Sequence, residues 1–254
     1  MLKKIGLLII LTSIAVIFIY QSKLKVVPSK ITNKIEEVKN TVEDVKETIA
    51  PKPTQILSTG LPDKHLIKTT FVPQSPEHNW DQPWQDACEE AALLTVNYFY
   101  KNQDPNLETI RDDILKMIDF ENTQKFTHDM NLDQMSLVVK KYLGFDSQII
   151  ENPSIEEIKK YISLDIPVVV PANGKTLFKE NKHFTNGGPY YHNLTILGFD
   201  DNKKQFIVHD VGTKSGAYFK YSYQLLIDSI HDFPSSNNKE DIDNGSKRVL
   251  ILLK

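Results

Sequence analysis

Apolar and polar positions divide the chain into three stretches. Residues 5 to 20 (IGLLIILTSIAVIFIY) carry no charge, follow Lys3 and Lys4, and end in Tyr20. As a helix, sixteen residues rise about 24 Å, slightly short of a bilayer's hydrocarbon core, so a membrane segment with snorkelling flanking lysines is expected. Next, Ile31, Ile35, Val38, Val42, Val45 and Ile49 recur at alternating steps of four and three, a heptad seam too short to be stable alone. Pro51-Lys52-Pro53 then breaks the helix. Beyond it, a mainly apolar stretch through Ala91, Leu94, Val96, Tyr98 and Phe99 predicts a buried central helix. Helical patterns follow near 106 to 119, 131 to 143 and 154 to 164, the last started by Pro153-Ser154 and Glu157. Strands are expected at 167 to 170, 191 to 199, 205 to 210, 216 to 221 and 247 to 253. Helices first and an antiparallel sheet later is the order of an α+β domain.

Charge narrows the function classes. The 254 residues carry a net charge of −3 with both signs mixed, unlike the basic footprint of a nucleic-acid binder. Neither H-E-x-x-H nor paired cysteines occur, and Asp200-Asp201-Asn202 reads as a turn, so no metal and no cofactor are expected. No G-x-x-x-x-G-K-[ST] motif is present, which points to a free-standing protein rather than one fused to an ATP-driven transporter.

The single cysteine, Cys88, changes the picture most, because it sits where the central helix should begin rather than inside its apolar run. Asp86 and Glu89 read as a capping box that makes Cys88 the second helical residue, facing unpaired backbone N–H groups that favour a thiolate. Glu89 and Glu90 oppose this if they point toward the sulfur, so a cationic histidine must supply compensation. Of seven histidines, His192 opens the strand YYHNLTILGFDD beside the Gly187-Gly188-Pro189 loop. The next apolar run, Phe206-Ile207-Val208, ends in His209-Asp210, and a hairpin across 200 to 204 brings His192 and Asp210 to one sheet end. A thiol, an imidazole to take and return its proton, and an acid to orient the ring are the parts of a thiol hydrolase. His209 and His183 are the other candidates for the base. Gln74, Gln82 and Gln85 precede the thiol and could each supply an amide donor for an oxyanion; spacing does not choose among them.

The segments QSPEHNW (74 to 80), QDACEEAALL (85 to 94), GPYYHNLTILGFDD (188 to 201), FIVHDVGTKSG (206 to 216) and YSYQLLIDSIHDF (221 to 233) together resemble the double-glycine leader peptidases of family C39, and especially their stand-alone C39-like members. The resemblance implies a papain-like cysteine peptidase fold, with Cys88 on the helical side and His192 and Asp210 on the sheet. It also implies Cys88 as nucleophile, His192 as base and Asp210 as its orienter. Gln74 follows a Val-Pro pair as the family's oxyanion glutamine does, whereas Gln82, six residues before the thiol, fits the spacing of leader peptidases. Leader peptidases carry Gly after the nucleophile where this chain has Glu89, which sets leader specificity apart.

The expected organisation is an uncleaved membrane anchor (1 to 21), a stalk (22 to 66) with the heptad helix at 31 to 49, and a catalytic domain (67 to 254). No small-x-small cleavage site follows the apolar run, and no cysteine precedes residue 88 to carry a lipid. Lys3 and Lys4 favour a cytoplasmic N-terminus and an extracytoplasmic catalytic domain, although Lys23, Lys25 and Lys30 follow the span. A polypeptide is the expected substrate, self-association through the heptad helix is an option, and the Thr185–Tyr191 loop is a candidate rim of the substrate site. Two rival readings share the scaffold: an acyl transferase or ligase using the same triad, and an inactive peptidase-like binding module.

Overall fold

A computed structural model describes residues 60–254; the anchor, the heptad helix and most of the linker lie outside the described residues. Within the described part no helix is long and apolar enough to cross a membrane. The chain opens with β1 (Lys64–Leu66), passes through a short 3-10 turn (Trp84–Asp86), and enters α1 (Cys88–Lys101), α2 (Leu107–Gln124) and α3 (Leu132–Val138). Then come β2 (Asp146–Glu151), α4 (Ile155–Ser163), β3 (Val168–Asn173), α5 (Gly174–Leu177), β4 (Tyr191–Asp200), β5 (Gln205–His209), β6 (Phe219–Ser222), α6 (Tyr223–Ser229) and β7 (Arg248–Leu253). The class is α+β.

All strand pairs are antiparallel, in the order β2-β7-β3-β4-β5-β6. The last three residues of β4, Gly198 to Asp200, pair with β1 beyond the point where β3 has run out at Ile196. Gly198 is required at this junction: a Cβ there would sit 2.6 Å from the His65 carbonyl oxygen.

Alternation along the central strands explains why they read as unbroken apolar runs. Val169, Leu250 and Leu252 face the cluster formed with α1, α2 and α3, while Val168, Val170, Val249 and Ile251 face the cluster formed with α4, α5 and α6. Each strand is buried on both faces, so period-two polarity vanishes. α1 lies directly on β4, where Thr195 Oγ1 donates to the Ala92 carbonyl at 3.2 Å. That contact brings the start of the helix beside the start of the strand.

Differences from the sequence reading have local causes. The helix expected at 131 to 143 begins with a true capping box between Asn131 and Gln134, then widens into a π-turn (Val139–Leu143) closed by Gly144 at φ 81°. The strand expected at 216 to 221 starts only at Phe219, because the preceding residues form a tight loop in which Asp210 N donates to Gly216 O at 2.9 Å. β1, β2, α5 and α6 were not anticipated; β1 and α5 are three and four residues long, too short for a periodic signal.

Candidate functional site

The nucleophile candidate is presented differently from expectation. Asp86 closes the 3-10 turn, and its carboxylate accepts from Gln82 Nε2 at 2.6 Å instead of capping α1. Ala87 occupies the N-cap with no side-chain cap, so Cys88 is the first residue of the helix, not the second, and Glu89 is not part of a capping box. The first backbone acceptor within the helix is the Ala87 carbonyl, bonded by Ala91 N. The N–H groups of Cys88, Glu89 and Glu90 therefore remain without intrahelical partners, as a helix start requires.

His192 and Asp210 come together as the hairpin predicts. His192 Nε2 lies 2.8 Å from Asp210 Oδ1, with both side chains buried. Asp210 is saturated: Oδ1 also meets Gly212 N at 3.4 Å, and Oδ2 accepts from Asn181 Nδ2 at 2.8 Å and Tyr221 OH at 2.5 Å. Burial alone would raise its pKa, but His192, Tyr221 and Asn181 outweigh it and hold the carboxyl below its ordinary range. Asn181 and Tyr221 were missed from sequence; an Asn in a loop and a Tyr in a short strand carry no distinguishing pattern. The ring of His192 rests edge-on against Phe184, with centroids 5.2 Å apart. Gly212 leaves the ring its space, since a Cβ there would sit 2.7 Å from His192 Cε1. With Nε2 committed to Asp210, Nδ1 is the nitrogen left for a thiol.

The competing histidines separate cleanly. His209 is fully buried between the rings of Phe71 and Tyr218, and burial lowers its pKa to about 4, so it is a neutral core residue. His183 lines the same cleft as His192, but its ring makes no bond to an acid among the described residues.

Cys88 and His192 line one cleft of about 600 Å³. Gln74, Trp80, Phe184, Pro189, Tyr191 and Lys214 are among its other lining residues. The loop singled out as a rim contributes Thr185, Asn186, Gly188, Pro189 and Tyr191. Of the three glutamines, Gln74 is buried in the cleft, Gln85 lines it from an exposed position, and Gln82 is exposed and bound to Asp86. Gln74 Nε2 donates to the carbonyls of Trp84 at 3.0 Å and Gln85 at 3.3 Å, while its backbone N–H reaches Val211 O at 3.1 Å. It thus ties the turn before the nucleophile to the loop after Asp210.

Electrostatics at the thiol run against the expected low pKa. Cys88 Sγ donates to Glu89 Oε2 at 3.0 Å and has Asn193 Nδ2 at 3.9 Å; no hydrogen bond joins it to His192. Burial, then Glu89, Asp129 and Glu90, push the thiol well up. Glu89 and Glu90 are themselves pushed up, first by burial and then by neighbouring carboxylates. Glu90 faces Glu121, whose pKa burial raises to about 7; the pair keeps two buried oxygens with no donor, so a proton of its own must hold it together. Among the described residues no cluster of His, Cys, Asp and Glu is placed to hold a metal ion.

Comparison with known proteins places residues 67–231 on the model of the Peptidase_C39 like family. A solved structure of a candidate C39-like peptidase from Bacillus anthracis is similar at 17% identity and a TM-score of 0.47, covering 76% of this chain and 98% of its own. No curated protein matches the chain.

Proposed function

Since the chain belongs to the Peptidase_C39 like family, a family of cysteine peptidases, we propose that it cleaves polypeptides through an acyl-enzyme on Cys88. The observation that carries this is the shared cleft: a thiol at a helix N-terminus on one wall, and a buried, acid-oriented imidazole on the other. His192 Nδ1 takes the thiol proton, and the thiolate adds to the peptide carbonyl carbon. Asp210, already ionised and saturated with donors, stabilises the imidazolium without accepting its proton. Negative charge on the carbonyl oxygen is met by the free N–H of Cys88 and the helix start. Gln74 is the glutamine placed to assist, by exchanging one of its bonds to Trp84 or Gln85 for one to the substrate oxygen. The imidazolium then protonates the leaving amine, and water, deprotonated by the same ring, releases the acyl group.

Cys88→Ala is expected to abolish hydrolysis of an unstructured polypeptide while the protein stays folded. Retained hydrolysis would remove the peptidase reading. The binding-module reading is favoured by one observation, the thiol's bond to Glu89 in place of His192, and it requires that Cys88→Ala leave function intact. Conjugates formed when amines are added would indicate transfer in addition to hydrolysis.

The anchor at 5 to 20 and the heptad helix at 31 to 49 support a further reading: a single-pass membrane protein whose peptidase domain is extracytoplasmic and whose stalk can self-associate. Protease digestion of intact cells tests the orientation. Loss of the domain under external protease is expected, and full protection would reverse it.

A further inference from the structure

We propose that Glu89 is a latch for the nucleophile: its buried carboxyl group holds the Cys88 thiol in a bond that keeps it from His192, and the thiol must leave Glu89 for His192 before it can react. This rests on the cysteine peptidase reading above and adds a positioning residue to it.

Glu89 follows the nucleophile directly and is fully buried. Its two oxygens have separate tasks. Oε2 takes the thiol at 3.0 Å, and Oε1 accepts Met130 N at 2.9 Å. Met130 in turn accepts Tyr191 OH at its carbonyl at 2.7 Å, and Tyr191 is the residue before His192. The latch is therefore clamped to the strand that carries the base, and it cannot swing away without breaking that chain of bonds. A carboxyl group is also a poor choice for this position if the sole requirement were a reactive thiolate, because it accepts the thiol proton's hydrogen bond and any charge it takes disfavours ionisation of the sulfur. Its burial costs solvation that only the two donors offset.

The surrounding charges strengthen the hold. Glu90 comes from the same helix, and Asp86 from the turn before it. Glu121 faces from α2, Asp129 from the loop before α3, and Tyr191 from β4. His128 stands beside Asp129, and Lys239, from the 3-10 turn Lys239–Asn244, is drawn to Asp86 at 3.6 Å and Asp129 at 3.8 Å. His192 lies on the opposite wall, bonded to Asp210. Acidic neighbours thus outnumber the basic ones, and they keep the proton on sulfur for as long as sulfur stays on this side. On the other side, the thiol proton passes to His192 Nδ1 and the thiolate gains an imidazolium in place of a carboxyl group.

The test is Glu89→Gln in the full chain, read by iodoacetamide alkylation. Cys88 is the only cysteine, so the rate reports one site. Gln keeps an oxygen for Met130 N and offers an N–H to sulfur. The midpoint of the alkylation profile, followed over about pH 5 to 9, should fall by at least about one unit in the variant, with roughly tenfold faster reaction near neutrality. Glu89→Asp, which retains the carboxyl group, should stay slow. A folded Glu89→Gln whose midpoint is unchanged or higher overturns the latch; a purely structural role would lower the melting temperature and leave the midpoint in place. Should Glu89→Gln not fold, the S–H stretching band of the wild-type protein decides. A band shifted and broadened by hydrogen bonding to a carboxyl oxygen is expected, and one at the free-thiol position overturns the proposal. None of these readouts needs a substrate, whereas loss of hydrolysis in Cys88→Ala tests the peptidase reading separately.

Discussion

The two walls of the cleft are built on opposite principles. On the sheet side, Asp210 is ionised, fully bonded and surrounded by donors from Asn181, Tyr221, Gly212 and His192. On the helix side, Cys88, Glu89, Glu90 and Glu121 crowd acceptors together, and burial, with the neighbouring carboxyl groups, pushes the pKa of each up. The first wall is preorganised for a charge that it always carries. On the proposed reading the second must change state before it can act, and the resting protein holds Cys88 as a thiol. If the two act as proposed, preorganisation of one partner and restraint of the other would let a single rearrangement decide when the site is competent.

Breaking the preorganised wall should have the largest effect. Asp210→Asn removes the acceptor that fixes the imidazole tautomer, and kcat should fall by roughly 10³ to 10⁴ with little change in KM, measured by peptide hydrolysis. Gly212→Ala disturbs the same wall sterically, since its Cβ would meet His192 Cε1 at 2.7 Å and Phe184 Cε1 at 3.1 Å. A displaced ring should cost about a hundredfold in kcat, whereas thiol alkylation near neutrality should be nearly unchanged if Glu89 rather than His192 governs the resting sulfur.

On the restrained wall the smallest effect is on stability. Glu121 has its pKa raised from an ordinary 4.5 to about 7 by burial, so the folded state holds a proton that the unfolded chain releases. That contribution is fully present below about pH 4.5 and is lost as pH rises toward 7. Glu121→Gln should flatten the fall in melting temperature across this window. A wild-type profile that rises there would contradict a protonated Glu90–Glu121 pair.

The sheet wall was largely legible in the sequence, and the helix wall was not. A histidine near the start of one strand and an aspartate just past the end of the next are brought to one end by hairpin pairing, with Thr195 opposite His209. That Gln74 is buried in the cleft while Gln82 is exposed was not legible in spacing, because it depends on how the 74 to 86 loop folds back on the loop after Asp210. The capping box failed for a different reason. Asp86 and Glu89 have the right spacing, but Asp86 ends a 3-10 turn and Glu89 turns inward to the thiol and Met130. Spacing reports which residues share a helix turn; it does not report which way a carboxylate faces when the core offers it two donors. β2 illustrates the same limit, since its pairing with β7 from Asp146↔Leu253 to Glu151↔Arg248 joins segments about a hundred residues apart.

The central claim is that Cys88 and His192 act together on a peptide bond. The most direct test is to mix the full chain with an unstructured polypeptide, quench with acid during turnover, and determine the intact mass. An acyl adduct on Cys88 in the wild type, accumulating at least about a thousandfold more slowly in His192→Ala, is the expected result. Cleavage that proceeds without an adduct and survives alkylation of Cys88 would contradict it.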